Sequence, residues 1–274
     1  MAGFWLGPLA SGRGYRLFGH DEVGSTNSEA ARAAEVGDVG EAWFAALKQT
    51  AGRGRRGRAW ETPSGNLAAS LLMVPDCEPA IAATLGFVAG VALNRALAAT
   101  LPAGLFRQGL DGAGAGVHHI ALKWPNDVLA DGEKLAGILL EAQKQPDGRH
   151  AIVIGFGVNI VSAPSGLPYP ATSLAGLGAS ISAETIFAAL SDEWVVAYEL
   201  WDNGRNVGDI LRLWRASAAG IGAEVAVSRD GGVVRGVFES IDDSGRLIVR
   251  ANDNSRIAIS AGDVHFGVTA SVRG

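Results

Sequence analysis

Apolar positions along the chain fall into two textures. Up to about residue 220, short alternating or continuous apolar blocks are interleaved with longer Ala-rich stretches of helical period; after Gly222 only short alternating blocks remain. ThrAsnSerGlu at 26–29 has capping-box spacing, Thr26 at the cap and Glu29 three residues on, and predicts a helix to about Glu35. Blocks at 43–47 and 66–74 predict strands, and 80–99 predicts a long helix. Further blocks at 118–124, 137–144 and 150–157 read as a sheet, with turns at Asp131-Gly132 and Pro146-Asp147-Gly148. Helical patterns recur at 183–201 and 207–218. Residues 103–116, rich in Gly and without a clear period, are given neither an element nor a chemical role.

These blocks define an α+β protein in two parts. Residues 1–220 predict a mixed sheet with flanking helices. Residues 221–274 predict a small β domain: blocks at 224–228, 233–241, 247–251 and 257–260, separated by Asp/Asn/Gly/Ser turns, suggest a five-stranded SH3-like barrel.

Composition narrows the classes. With 274 residues, 48% hydrophobic, the chain can bury a large core without disulfides, and its single Cys77 suits a reducing, cytoplasmic compartment. The first residues lack a signal-peptide pattern. The apolar stretch 81–101 contains Asn94 and Arg95, so an amphipathic helix is expected there and not a membrane span. A net charge of −5 argues against a nucleic-acid partner. The five histidines show no ligand spacing, and no protein-bound metal is expected.

One basic cluster departs from that acidic balance. Gln49 to Trp60 interleaves Arg53, Arg55, Arg56 and Arg58 with Gly52, Gly54 and Gly57. Guanidinium groups fork onto phosphates and carboxylates, and glycines let backbone N–H groups approach an anion. The glycines spell G-x-G-x-x-G, but a Pro/Gly turn follows where the dinucleotide fingerprint needs a helix. Arg58-Ala59 likewise excludes the P-loop, which needs Lys and a hydroxyl there. LysTrpProAsnAsp at 123–127 sets Lys123 at a strand end before a Pro-fixed turn. LysLeuAlaGlyIleLeu at 134–139 and GlyPheGlyValAsn at 155–159 put glycines where a ligand could reach the backbone.

In order and spacing, these segments together with SerThrAsn at 25–27 resemble the biotin protein ligase family. The resemblance implies the biotin/lipoate ligase catalytic fold and biotinylation of a carrier lysine through biotinyl-AMP, with biotin, ATP and Mg²⁺ as small molecules. It implies that Ser25, Thr26, Asn27 and Gln49 bind the ureido ring, and that Arg53, Gly54, Arg55 and Lys123 meet the biotin carboxylate and the adenylate phosphate. Arg55 and Lys123 become the catalytic candidates. Trp60 and Asn159 are implied to hold adenine, and Arg58 the pyrophosphate. The implied partner is a biotin carboxyl carrier protein or carrier domain; homodimerisation is left open. About twenty residues precede Ser25, too few for the helix-turn-helix of longer members, so DNA binding is not expected. The rivals are a lipoate or octanoate ligase or transferase, whose family lacks this Arg/Gly loop, and a non-enzymatic RNA or nucleotide binder.

Overall fold

A computed structural model describes residues 3–108, 117–166, 169–229 and 232–266. Its first sheet contains β1 (Arg16–His20), β2 (Ala42–Ala46), β3 (Leu67–Met73), β4 (Phe106–Gln108), β5 (His118–Lys123), β6 (Asp127–Ala130), β7 (Glu133–Lys144) and β8 (His150–Val158). They lie in the order β1-β2-β3-β8-β7-β6-β5-β4. The outer pairs β1/β2 and β4/β5 are parallel and the ladders between them antiparallel, giving the expected mixed sheet. The helices are α1 (Pro8–Gly12), α2 (Thr26–Glu35), α3 (Pro79–Ala82), α4 (Leu85–Thr100), α5 (Ala183–Trp201) and α6 (Val207–Ala216).

Both faces of the central strands are covered, which explains why all seven residues of β3 are buried. Side chains alternate across a strand, so Trp43 of β2 packs into the main core, edge-on to Phe187 of α5 at 5.4 Å, while Phe44 joins Ala30 and Ala34 of α2 on the opposite face. Burying a large aromatic such as Trp43 contributes roughly 2–3 kcal/mol.

Several expectations need correction. The expected amphipathic helix at 81–101 is a core helix: α4 is apolar on nearly every side because sheet, α5 and α6 surround it. The stretch Pro79–Thr100 is long and apolar enough to cross a membrane by length and composition, but 67% of its most apolar window is buried within the fold. It is also interrupted, since Thr84 bonds back to Ile81 and separates α3 from α4. At α2 the cap position is Ser25 and not Thr26, and no side chain closes a capping box. Strands β1 and β6 were not marked by the apolar blocks, being short or sparing in apolar residues. Within 103–116, Phe106–Gln108 forms β4; residues 109–116 lie outside the described residues.

The second sheet comprises β9 (Glu224–Arg229), β10 (Gly232–Ile241), β11 (Leu247–Arg250), β12 (Arg256–Ile259) and β13 (Asp263–Phe266), in the antiparallel order β12-β11-β10-β9-β13. Phe238, Leu247 and Val249 pack into the same core as the first sheet. Trp124 Nε1 donates to the Gly245 carbonyl at 2.9 Å, and Arg215 Nε to that of Ile241 at 3.0 Å, so polar groups along the seam are satisfied as well. This seam aims β13 at the ends of β5 and β6.

Candidate functional site

A cavity of about 630 Å³ lies between the start of α2, the middle of β7 and β8, the Arg/Gly segment and β13. Its inner end is built from neutral polar groups. Gln49 Oε1 accepts from the Thr26 backbone N–H at 2.8 Å and from the Thr26 hydroxyl at 3.1 Å, while Gln49 Nε2 donates to Thr62 Oγ1 at 3.1 Å. Ser70, in the middle of β3 and fully buried, lies 2.7 Å from Thr26 Oγ1 and also meets Asn27 Oδ1. Asn27 Nδ2 donates to Glu141 Oε2 at 2.7 Å. Ser25, Thr26 and Asn27 are buried, so this network is fixed by packing before any ligand arrives. Its closeness depends on Gly155, where a Cβ would stand 2.2 Å from Asn27 Oδ1.

The outer end is cationic. Residues 52–60 fold back on themselves, with Gly54 N–H donating to the Arg58 carbonyl at 2.7 Å and Trp60 N–H to that of Gly52 at 3.0 Å. Arg56 adopts φ 55° and ψ 35°, a left-handed turn followed by Gly57 at φ 71°. Arg53 reaches Glu141 at 3.0 Å; Arg55 donates to Asn126 Oδ1 at 2.9 Å; Arg56 and Arg58 reach Asp263 at 3.1 and 3.0 Å, with Arg55 3.5 Å from the same carboxylate. Burial tends to raise the Asp263 carboxyl, but Arg58, Arg55 and Arg56 outweigh it and hold it below its usual range.

Trp60 joins the two ends. One face of its indole lies on the register pair Gly137–Gly157, and a Cβ on Gly157 would stand 2.3 Å from the ring. The Lys134 ammonium sits 5.4 Å from the Trp60 ring and 5.4 Å from that of Tyr169, and 2.6 Å from Asp127 Oδ1. Lys123, at the end of β5, lies 5.7 Å from the Phe266 ring. Burial pushes its ammonium below the ordinary lysine value and Lys134 adds to this, against Asp127 and Asp263.

Ser25, Thr26, Asn27, Gln49, Arg53, Gly54, Arg55, Arg58, Trp60 and Lys123 thus line one cavity. Asn159 does not. It lines an adjoining cleft of about 50 Å³ with Trp60, Lys134 and Tyr169, its Nδ2 donating to the Thr172 carbonyl at 3.1 Å and its buried Oδ1 without a partner among the described residues. Lys134, Asp127, Glu141, Ser70 and Asp263 also belong to the site. Of these, Lys134 opens the LysLeuAlaGlyIleLeu segment and Asp127 closes LysTrpProAsnAsp, so both lie within motifs visible in the sequence, though neither is given a role there. Ser70 reads as one residue of an apolar strand, and Asp263 lies over two hundred residues from the arginines it meets.

Fold and cavity together form a trough with neutral hydrogen-bonding side chains at one end, guanidinium groups at the other and the Trp60 indole between them. Residues 41–159 match the Biotin/lipoate A/B protein ligase family, and residues 220–267 the Biotin protein ligase C terminal domain. The chain is 38% identical over 252 residues to the Biotin--[acetyl-CoA-carboxylase] ligase of Paracoccus denitrificans, covering 89% of this chain and 97% of that protein. It is 35% identical to the like-named protein of Mycobacterium tuberculosis, covering 93% and 91%. The biotin protein ligase of Aquifex aeolicus in complex with biotin and ATP has the same fold, at TM-score 0.73 and 20% identity over 92% of this chain and 99% of that one. The chain belongs to the biotin protein ligase family.

Proposed function

We propose that this protein joins biotin to a specific lysine of a biotin carboxyl carrier domain, using ATP and passing through biotinyl-5′-AMP. The observation that carries this reading is the continuity of a neutral, hydrogen-bonding pocket with an arginine-rich trough across one indole. A carboxylate is a poor acyl donor. Attack of the biotin carboxylate on the ATP α-phosphorus expels pyrophosphate and installs AMP as a good leaving group; the carrier lysine amine then attacks the acyl carbon and AMP departs.

In this reading Ser25, Thr26, Asn27 and Gln49 hold the ureido ring, and the fixed network spares the ligand the cost of ordering them. Arg53, Gly54, Arg55 and Lys123 face the carboxylate and α-phosphate, whose mutual repulsion a fixed cation offsets. Lys134, across Trp60 and paired with Asp127, can share that task. Trp60 offers a stacking face to adenine, and Asn159 Oδ1, without a partner among the described residues, suits the adenine amino group. Arg58 takes pyrophosphate. Mg²⁺ accompanies the nucleotide; Asp127 and Asp263 are engaged by Lys134 and by the arginines. Residues 1–220 form the catalytic unit and 221–274 a supporting one, in a cytoplasmic enzyme that acts on a protein partner and not on nucleic acid.

The test is ATP-dependent incorporation of label into a carrier domain. Biotin transfer is expected; transfer of lipoate or octanoate in its place would shift the reading to the sister ligases.

A further inference from the structure

We propose that Asp263 is a positioning residue for adenylation: its single carboxylate, supplied by the second sheet, gathers Arg55, Arg56 and Arg58 into the phosphate-binding cluster and holds the Arg/Gly segment over the cavity. This rests on the functional reading above. Ala51, bonded to the Gly24 carbonyl at 2.7 Å, and Trp60, lying on Gly137 and Gly157, hold the ends of the segment, but none of residues 51–60 is buried and the arginine turn between those ends has little apolar surface to hold it in place. Its backbone bonds at Gly54, Arg58 and Trp60 are internal and shape the turn without fixing it to the sheet. Three guanidinium charges drawn into one turn repel each other, and the left-handed Arg56 adds local strain.

Asp263 answers both problems. Its side chain is 21% exposed, so its contacts are partly withdrawn from solvent screening. Oδ2 accepts one N–H from Arg56 at 3.1 Å and one from Arg58 at 3.0 Å, while Arg55 stands 3.5 Å from Oδ1. A guanidinium has five donors, so these bonds leave most of the N–H groups free for phosphate oxygens. Arg55 also points both Nη atoms at the Gly262 carbonyl, 3.5 and 3.4 Å away, which makes the start of β13 a seat for that side chain. Pairing with β9, Asp263 opposite Ser228, fixes the carboxylate. The second sheet thereby acts on a reaction centred in the first.

The arginines are trypsin sites, so anchoring can be read without any assay of activity. In ligand-free protein, Asp263→Asn should speed tryptic nicking between Arg53 and Arg58 on the order of tenfold, the scale of one lost charge-assisted contact, with Asp263→Glu restoring most of the protection. In biotin-dependent pyrophosphate release, Asp263→Asn should raise the KM for ATP by about tenfold and change kcat by less than about threefold, with biotin affinity unchanged. Unaltered nicking would overturn the proposal, as would a fall in KM, which would make Asp263 a competitor of phosphate. Should Asp263→Asn fail to fold, nicking of the wild type, normalised to a free arginine peptide, must rise with ionic strength; no rise overturns the proposal equally. Nicking that responds in a wild type releasing no biotin-dependent pyrophosphate would sink the biotin reading while supporting the anchor.

Discussion

The two ends of the cavity are held by different physics. At the inner end, Thr26, Asn27 and Ser70 are buried and bonded to one another and to Gln49 and Glu141, with Ser25 buried beside them, so the geometry follows from the packing of α2 on the sheet. At the outer end, the exposed Arg/Gly segment is held by ion pairs to Glu141 and Asp263, with little apolar contact beneath it. A neutral ring is recognised best by a rigid, pre-bonded surface, because each misplaced donor costs a desolvated group. A polyphosphate that must enter and leave suits a segment whose charges can exchange one anion for another.

The largest expected effect falls where the ends meet. Lys123→Ala or Lys123→Gln removes the compact charge proposed to offset carboxylate and α-phosphate, and should slow pyrophosphate release on the order of a hundredfold, with less effect on transfer of supplied biotinyl-AMP. Wild-type release from Lys123→Ala would move that role to Lys134, whose own alanine variant should then show the loss.

Next comes the inner network. Ser70→Ala leaves Thr26 and Asn27 short of a buried partner, costing roughly 1–3 kcal/mol, and should weaken biotin binding in calorimetry about tenfold or more while sparing the KM for ATP. Equal losses for both ligands would erase the distinction between the ends.

Gly157→Ala presses a methyl into the Trp60 ring, an overpacking worth roughly 1–3 kcal/mol if the indole cannot shift. It should raise the KM for ATP more than it weakens biotin binding. The reverse ordering would mean that Trp60 serves the inner end.

The smallest effect concerns pH. The Asp263 carboxyl sits below its ordinary value in the folded protein, so its contribution to stability is present above the unfolded value of about 3.9 and is lost as pH falls through the lower folded one. The Tm difference between wild type and Asp263→Asn, worth at most about 1 kcal/mol, should hold from pH 8 to 5, begin to shrink near the unfolded value of about 4 and vanish only below the lower folded one. A difference that disappears near pH 6 would point to another group.

The sequence by itself determined the α+β class, the change of texture near Gly222 and most of the polar side chains that line the cavity, because these are local facts. Apolar period sets each element, and the Arg/Gly run and Lys123 carry their chemistry wherever the chain places them. Only the tertiary structure decided that the Thr26 hydroxyl meets Gln49 and Ser70 while the cap position falls to Ser25, since those partners lie twenty-three and forty-four residues away. It also decided that the helix after Pro79 is buried on nearly every side, because its surroundings and not its pattern say how much of it meets water. Ser70 and Asp263 became site residues the same way. Their sequence neighbours are ordinary strand positions, and what sets them apart is a register across β3 and β8 and a β13 edge brought to the arginines by packing between the two sheets.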